Sequence, residues 1–329
     1  GDRAAGVRVL KLIEPEATPA RLESHADEIL AASSERVVSS RFWTWKLRIP
    51  ILLAFLIAFF NQLSGINAIL YFAPRIFGLT GSENPFAQSV GIGFTNLVFT
   101  FVGLWLIDRL GRRTLLFIGS FGYILSLGLC AVAFFTWAPQ FKAASAAVDV
   151  KTAVESPQTA NPARIAVLTD ELEEKKQTLA AATAVSASGA QPVSFPRDAK
   201  GDAVKATATT ALQQASQAAG LGGLMVLICI FAFIASHAVG QGAVIWVFIA
   251  EIFPNRHRAE GQALGSATHW VFAALLTTFF PLMMAAMAPG YVFCLFCGMM
   301  VLQLIWVKFM VPETKGVPLE AMQKRLGLE

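Results

Sequence analysis

The sequence predicts an all-α membrane protein with six transmembrane helices, preceded by a short pair of cytoplasmic helices. Three observations carry that prediction. Of the 329 residues, 55% are hydrophobic and only 15% charged, with a mean hydropathy of +0.57, whereas about a quarter of a soluble domain is charged. The charges avoid five stretches, 49–74, 84–107, 114–141, 206–250 and 261–307, none of which contains Lys, Arg, Asp or Glu. A spanning helix needs roughly 20 apolar residues, and 261–307 is long enough for two. The third observation is an alternation of charge. Arg109, Arg112 and Arg113, then Arg256 and Arg258, then Lys315, Lys324 and Arg325 occupy every other connection and the C-terminal tail, while 79–87 and 286–289 carry no Lys or Arg. The positive-inside rule then puts both termini and the Arg-rich loops in the cytoplasm, and an even number of spans agrees.

In chain order, Arg3–Ile13 reads as the end of an amphipathic helix broken at Glu14-Pro15. Thr18 reads as an N-cap with Pro19 at the first helical position, opening a helix to about Ala32. The spans follow near 49–78, 88–107, 114–137, 221–250, 260–285 and 289–310. The first is unusual: from Leu47 to Gly78 it would run about 46 Å, well beyond a core of about 30 Å. Its centre reads Asn61-Gln62-Leu63-Ser64-Gly65-Ile66-Asn67. Polar side chains at that depth are costly unless they face protein or a water-filled cavity, and loosened helix is tolerated only in the same places. The fourth span repeats the pattern with Gly240-Gln241-Gly242 before Trp246. Two Gly-interrupted spans in one bundle point to a transporter's midplane site; packing of helices through small residues is the competing reading.

Residues 138–220 differ in kind, being rich in Ala, Thr, Gln and Ser, with Pro157, Pro162, Pro192 and Pro196. Helices are expected from Ala163 to about Ala182 and over 203–219, within loosely ordered extracytoplasmic elaboration. Cys130, Cys229, Cys294 and Cys297 all fall inside spans, so Cys294-x-x-Cys297 is read as helix packing and not as a redox pair. No signal peptide is visible and the first residue is Gly, which leads to the expectation of a chain cut from something longer.

Four motifs then converge. Gln62-Leu-Ser-Gly-Ile-Asn67 with Tyr71-Phe72, Asp108-Arg109-Leu-Gly111-Arg112-Arg113, Trp246 with Glu251-Ile-Phe-Pro254 and Arg258, and Pro312-Glu313-Thr314-Lys315-Gly316 occur in that order. Together they resemble the sugar porter family of the major facilitator superfamily. The resemblance covers about 45–320 and implies the C-terminal six-helix bundle of that fold. Residues 1–47 would then be cytoplasmic linker helices, 48–137 transmembrane helices 7–9, 138–220 an extracytoplasmic low-complexity insert, 221–311 helices 10–12 and 312–329 a cytoplasmic tail.

The residues suit a sugar. Hydroxyls both donate and accept, so amides, which also do both, suit them better than fixed charges. Asn67 and Tyr71, four apart, share a helix face. Trp246 and Trp270 offer an aromatic face and an indole donor. The resemblance implies that Gln62, Asn67, Asn96 and Trp246 line the sugar pocket, with Tyr71, His269 and Trp270 as further candidates. It also implies that Asp108, Arg109, Arg112, Arg113, Glu251 and Arg258 form a cytoplasmic network that holds that side shut. The sequence departs from the family at Asn61, Ala238, Gln241 and His269, which bears on the identity of the sugar.

The function expected is gradient-driven transport of a monosaccharide by alternating access, as half of a complete transporter. A sugar-sensing receptor and an inert fragment are the alternatives; the tail after Pro312 is short for a receptor. No phosphate-binding loop, zinc-ligand pair or nucleophile elbow is present, so no enzyme, cofactor, metal or nucleic-acid partner is expected. The expected partners are a hexose or pentose, membrane lipid and an N-terminal six-helix half. Absence of Asn-x-Ser/Thr sequons leans the expected location to a bacterial inner membrane.

Overall fold

Inside a bilayer every backbone N–H and C=O must be paired within the chain, and the architecture obeys that demand with helices alone. The computed structural model describes residues 3–34, 41–79, 85–155, 162–185, 188–196 and 201–328, and all regular structure among them is helical. Part of the 79–87 connection and Pro157 lie outside the described residues. Helices α1 (Arg3–Ile13) and α2 (Pro19–Ser34) form a hairpin closed by Leu10, Leu22 and Ala26, with Arg3 Nε 2.7 Å from Asp27. A 3-10 turn, Trp45–Leu47, leads into α3 (Arg48–Leu63) and α4 (Ile66–Leu79). Then come α5 (Pro85–Leu110) and α6 (Arg112–Thr136), the three helices of the insert, and α10 (Leu221–His237), continued through a π-turn (Ala238–Gly242) into α11 (Ala243–Ile252). The bundle closes with α12 (Arg258–Ala286) and α13 (Pro289–Met310), and α14 (Leu319–Arg325) follows.

Among the described residues, six segments are long and apolar enough to cross a membrane: Trp45–Gly78, Phe86–Leu110, Arg112–Thr136, Leu221–Ile252, Asn255–Ala286 and Pro289–Met310. They match the six expected spans, with ends shifted by a few residues. The core between them is aromatic and branched. Leu53, Ile57, Ile69, Phe77, Tyr123, Phe233, Phe248, Phe293 and Phe296 are all essentially inaccessible. Burial is uneven: half of the most apolar window of α6 is buried, against 17% for α5 and 11% for α12. Helices α5 and α12 therefore show most of their surface to something outside the described chain, α12 through Trp270, Val271, Leu275, Phe279 and Leu282.

Two helix breaks interrupt the spans, and both have local causes. Gly65 sits between α3 and α4 at φ 85°, a left-handed conformation that suits glycine. A Cβ there would lie 2.6 Å from the Phe296 ring, so the same glycine also admits α13. Ser64 Oγ donates to Asn61 O (2.7 Å) and accepts from Ile66 N (3.3 Å), pairing backbone groups that the break frees. The second break is the π-turn. Its Gly240 lies against Gly119 of α6, where a Cβ would come within 2.8 Å of the Gly119 Cα. π-turns inside helices are frequent at functional sites.

The insert corrects an expectation. Its described residues are not a loose elaboration: α7 (Ala138–Glu155), α8 (Pro162–Ala184) and α9 (Asp202–Ala219) pack around a core of their own. That core is mostly alanine, with Ala143, Ala147 and Val150 on α7 and Val204, Ala208, Ala211 and Ala215 on α9. Small residues at spacings of three and four let two helices approach closely, so close packing replaces bulk. Lys205 Nζ, 2.8 Å from Glu155, ties the two helices at one end.

Candidate functional site

The broken first span builds the candidate site. Gln62 is the eighteenth of the 34 residues in Trp45–Gly78, so it lies at mid-span. It is fully buried, and its carboxamide is the hub of a four-residue cluster. Gln62 Nε2 donates to Asn61 Oδ1 at 2.9 Å and faces the ring nitrogens of His269 on α12 at 3.0 and 3.2 Å. Asn67 Nδ2, just past the break, donates to Gln62 Oε1 at 3.0 Å. The helix break is what lets this happen: five residues apart on an unbroken helix, the two amides would point well away from each other, and the turn at Gly65 swings Asn67 back over Gln62. Asn67 and His269 are half-buried and so open towards an accessible face. Trp246 borders that face with its ring centroid 5.4 Å from His269, and Gln262 Nε2 holds its backbone by donating to Trp246 O at 2.8 Å.

The structure therefore brings together four of the seven expected sugar residues, Gln62, Asn67, His269 and Trp246. The other three stand apart. Trp270 touches the His269 ring edge-on at 5.2 Å but is 62% exposed. Tyr71, also 62% exposed, lies one turn beyond Asn67. Asn96 is half-buried on α5, and no described hydrogen bond joins its side chain to the cluster; its carbonyl accepts from Thr100 Oγ1. One member lies outside the expected set: Asn61, in the sequence a departure from the family, is buried against Gln62. Behind the cluster, Tyr123 OH lies 2.6 Å from His237 Nδ1, joining α6 to the end of α10. A lone histidine in a charge-free span was the available signal.

At one end of the bundle the polar groups are charged. Arg112 Nη2 and Nε pair with the two carboxylate oxygens of Glu251 at 2.8 and 3.1 Å, a bidentate arrangement. The same guanidinium donates to Ile107 O (3.2 Å) and Asp108 Oδ1 (3.0 Å). Glu313 caps α6: its oxygens accept from the backbone N–H of Arg112 (2.9 Å) and Arg113 (3.1 Å), where the helix dipole favours an anion. Gly111 is at φ 94°, and a Cβ there would fall 2.5 Å from Glu313, so the capping carboxylate needs a glycine. Thr314 Oγ1 donates to Glu251 Oε2 at 2.7 Å and Lys315 Nζ to Arg109 O at 2.6 Å.

This knot differs from the expected one in three ways. Arg258 is not in it: no described ion pair joins it to Glu251, because it opens α12 beyond the 3-10 turn Asn255–His257. Arg109 contributes its carbonyl, while its guanidinium stacks on Trp105 at 3.9 Å. The Arg113 guanidinium donates to Lys308 O at 2.7 Å, with no described ion pair to a carboxylate. The missing members are Glu313, Thr314 and Lys315. They belong to the motif Pro312–Gly316, which the sequence showed as a signature without revealing that it folds back onto the Arg112 turn.

Paired helix breaks, a midspan amide cluster and an arginine knot with its capping glutamate set the terms for comparison with known proteins. The profile of the family described as "Sugar (and other) transporter" matches residues 8–154 and 203–326. The chain belongs to that family. Residues between the two matched segments include α8 and the turn after it, so that part of the insert lies outside the family pattern. Among curated relatives, a probable polyol transporter of Arabidopsis thaliana is 26% identical, covering 85% of this chain and 41% of the relative. The facilitated glucose transporter member 3 of Rattus norvegicus is 26% identical over 90% of this chain and 44% of its own length. Myo-inositol transporter 2 of Schizosaccharomyces pombe is 30% identical over 81% and 35%. The chain thus spans less than half the length of these relatives. A double-tryptophan mutant of XylE superposes with a TM-score of 0.58 at 20% identity, covering 98% of this chain and 54% of that one. The proton:xylose symporter XylE, bound to a bromo-deoxyglucose, gives 0.55 at 20%, covering 95% and 50%. These likenesses establish the major facilitator fold, and the relatives are transporters, not enzymes.

Proposed function

We propose that this chain is a six-helix half of a secondary transporter that carries a monosaccharide or polyol across a membrane by alternating access. The observation that carries the reading is the hydrogen-bonded Gln62–Asn67–His269 cluster at a midspan helix break, with Trp246 beside it. Neutral amides and an imidazole match the donor-and-acceptor pattern of sugar hydroxyls, and an indole face matches the apolar face of a pyranose. On this reading Gln62, Asn67, His269 and Trp246 bind the substrate at the midplane, while Tyr71, Asn96 and Trp270 meet it nearer the edge of the pathway. The low burial of α5 and α12 supports a second six-helix half as the partner covering the open face.

The reading also assigns sides. The Arg112 knot joins the start of α6, the end of α11 and the segment after α13; its charge supports a cytoplasmic side for that end, both termini and the α1–α2 hairpin. The insert, 138–220, then lies on the opposite side. The knot holds the cytoplasmic end shut in one conformation and is broken in the other. A bacterial inner membrane is the location we favour, on the absence of sequons.

Uptake tests the proposal. The full-length transporter containing this chain is expressed in cells lacking hexose uptake, and labelled glucose, fructose, xylose and myo-inositol are compared for wild type, Asn67→Ala and Gln62→Ala at matched abundance. Loss of uptake of one of these substrates in both variants, with folding intact, is the expected result. Unchanged uptake in both would reduce the amides to helix packing.

A further inference from the structure

Two helix breaks frame the candidate site, and one buried side chain lies against both. Gly119, Gly122 and Tyr123 share a face of α6, at positions i, i+3 and i+4, and that face meets the end of α10. A Cβ on Gly122 would run into Ser236 Oγ, and Gly119 lies against Gly240 of the π-turn. The two glycines bring the backbones together without any side-chain bulk. Tyr123 stands beside them with no accessible surface. Its ring centroid is 5.3 Å from that of Phe233 on α10. One turn further along α10, its hydroxyl shares a hydrogen bond of 2.6 Å with His237 Nδ1. His237 is the residue from which the π-turn starts.

The first break is within reach of the same hydroxyl. Ser64 is close enough to Tyr123 for a side-chain hydrogen bond. Ser64 is itself tied to Asn61 O and Ile66 N across the Gly65 turn, the turn that swings Asn67 over Gln62. The π-turn leads into α11, which carries Trp246 to the side of His269. The phenol thus stands between the turn that places the amides and the turn that places the indole. A buried hydroxyl is costly unless it is paired, and a phenylalanine would fill nearly the same volume. What the hydroxyl adds to that shape is a directional tie between the two breaks.

We propose that Tyr123 is a positioning residue for the substrate: its hydroxyl pins the Ser64–Gly65 turn to the start of the π-turn, and so fixes Trp246 relative to the Gln62–Asn67 amides. Enclosed on every side, Tyr123 acts through the spacing of groups that reach the open face. This rests on the sugar-site reading above and deepens it. A site in which an indole face and an amide edge engage one ring works only if the two are held to within about 0.5 Å. Helix α6, which adds no side chain to the amide cluster, is on this account the frame that sets the width of the site.

The experiment is equilibrium binding of glucose and myo-inositol to the purified full-length transporter. Wild type, Tyr123→Phe, Asn67→Ala and the double variant are compared at a temperature where thermal unfolding shows each of them folded. Tyr123→Phe keeps the ring and removes only the tie. Its affinity for the ligand that wild type binds should fall about three- to tenfold, the worth of one hydrogen bond. In the double variant the loss should be smaller than the product of the two single losses, because both changes act on one arrangement. Unchanged affinity in folded Tyr123→Phe overturns the proposal and leaves the hydroxyl as a partner for His237 and nothing more. A double variant whose loss equals the product overturns it too, since Tyr123 would then act independently of the amides. If Tyr123→Phe does not fold, a second pair decides. His237→Asn, which offers a polar atom near the place of Nδ1, should bind more tightly than His237→Leu, and equal affinities in the two overturn the proposal. Saturable binding in wild type with any of these contrary results would overturn this inference alone. No saturable binding of either ligand to wild type would count against the sugar-site reading and this inference together.

Discussion

The Arg112 knot and the Gln62 cluster solve one problem, polar groups in an apolar bundle, in opposite ways. At the centre of the knot both oxygens of Glu251 and of Glu313 are taken. Glu251 receives the Arg112 fork and Thr314, and Glu313 receives four backbone N–H groups, those of Arg112, Arg113, Thr314 and Lys315. The Arg112 side chain is only 11% exposed, and of the carboxylates Asp108 alone reaches out to solvent. In the cluster the groups are neutral, Asn67 and His269 reach an open face, and hydrogen-bonding capacity remains. Saturated charge fastens an end of the bundle; unsaturated neutral polarity is what a hydroxylated substrate can use.

The largest expected effect breaks the knot. Arg112→Ala leaves Glu251 uncompensated and should cost about 3 kcal/mol, at the low end for a buried pair because Glu251 is partly exposed; thermal unfolding in detergent measures it. The Asp108 arm of the same guanidinium is a control, since Asp108 is 81% exposed. Asp108→Asn should shift stability by under about 1 kcal/mol. Next comes Gly111→Ala, which forces a side chain into φ 94° against Glu313. A loss of about 1–3 kcal/mol is expected, with Gly111→Ala and Glu313→Gln less than additive in a double-mutant cycle because they act on one cap.

The contrast sharpens at Tyr123. Tyr123→Phe removes the hydroxyl at 2.6 Å from His237 behind the cluster and should cost about 1 kcal/mol of stability, while leaving the knot's Asp108 and Arg112 effects unchanged. The smallest effect lies in the insert. Burial pushes the Asp149 carboxyl above its ordinary range, against the opposing pull of Arg75 and then Lys175. An acid raised in the folded state binds its proton more tightly there than when unfolded. Its contribution therefore favours folding at low pH and weakens as pH rises from the ordinary carboxylate range through the raised value. Asp149→Asn should flatten that slope in unfolding curves, and a steeper slope would contradict the assignment.

Much of the fold was legible because membrane spans announce themselves through missing charge, and all six were found that way. The helix break was legible for a related reason: Asn61 to Asn67 is too polar for its depth. The insert was misjudged because alanine carries little hydropathy. Its packing signal was a spacing, Ala143-Ala147-Val150 against Val204-Ala208-Ala211-Ala215, and not a composition. At the candidate site, local motifs pointed to Gln62, Asn67 and Trp246, but partners 207 residues apart, as Gln62 and His269 are, depend on how helices cross. The same limit explains Arg258 and Glu313. Both lie in recognisable motifs, and only the return of the chain after α13 decides which one meets the Arg112 turn.

The central claim is that the unsaturated cluster, and not the knot, holds the substrate. Glucose and myo-inositol binding to the purified full-length transporter, wild type against Asn67→Ala, tests it most directly, with thermal unfolding measured on the same samples. The account predicts at least a tenfold loss of affinity for the sugar or polyol that wild type binds, from the one or two hydrogen bonds removed, beside a stability loss of about 1–3 kcal/mol because the buried Gln62 Oε1 loses its donor. Equal affinity in the two proteins, both folded at the assay temperature, would contradict it.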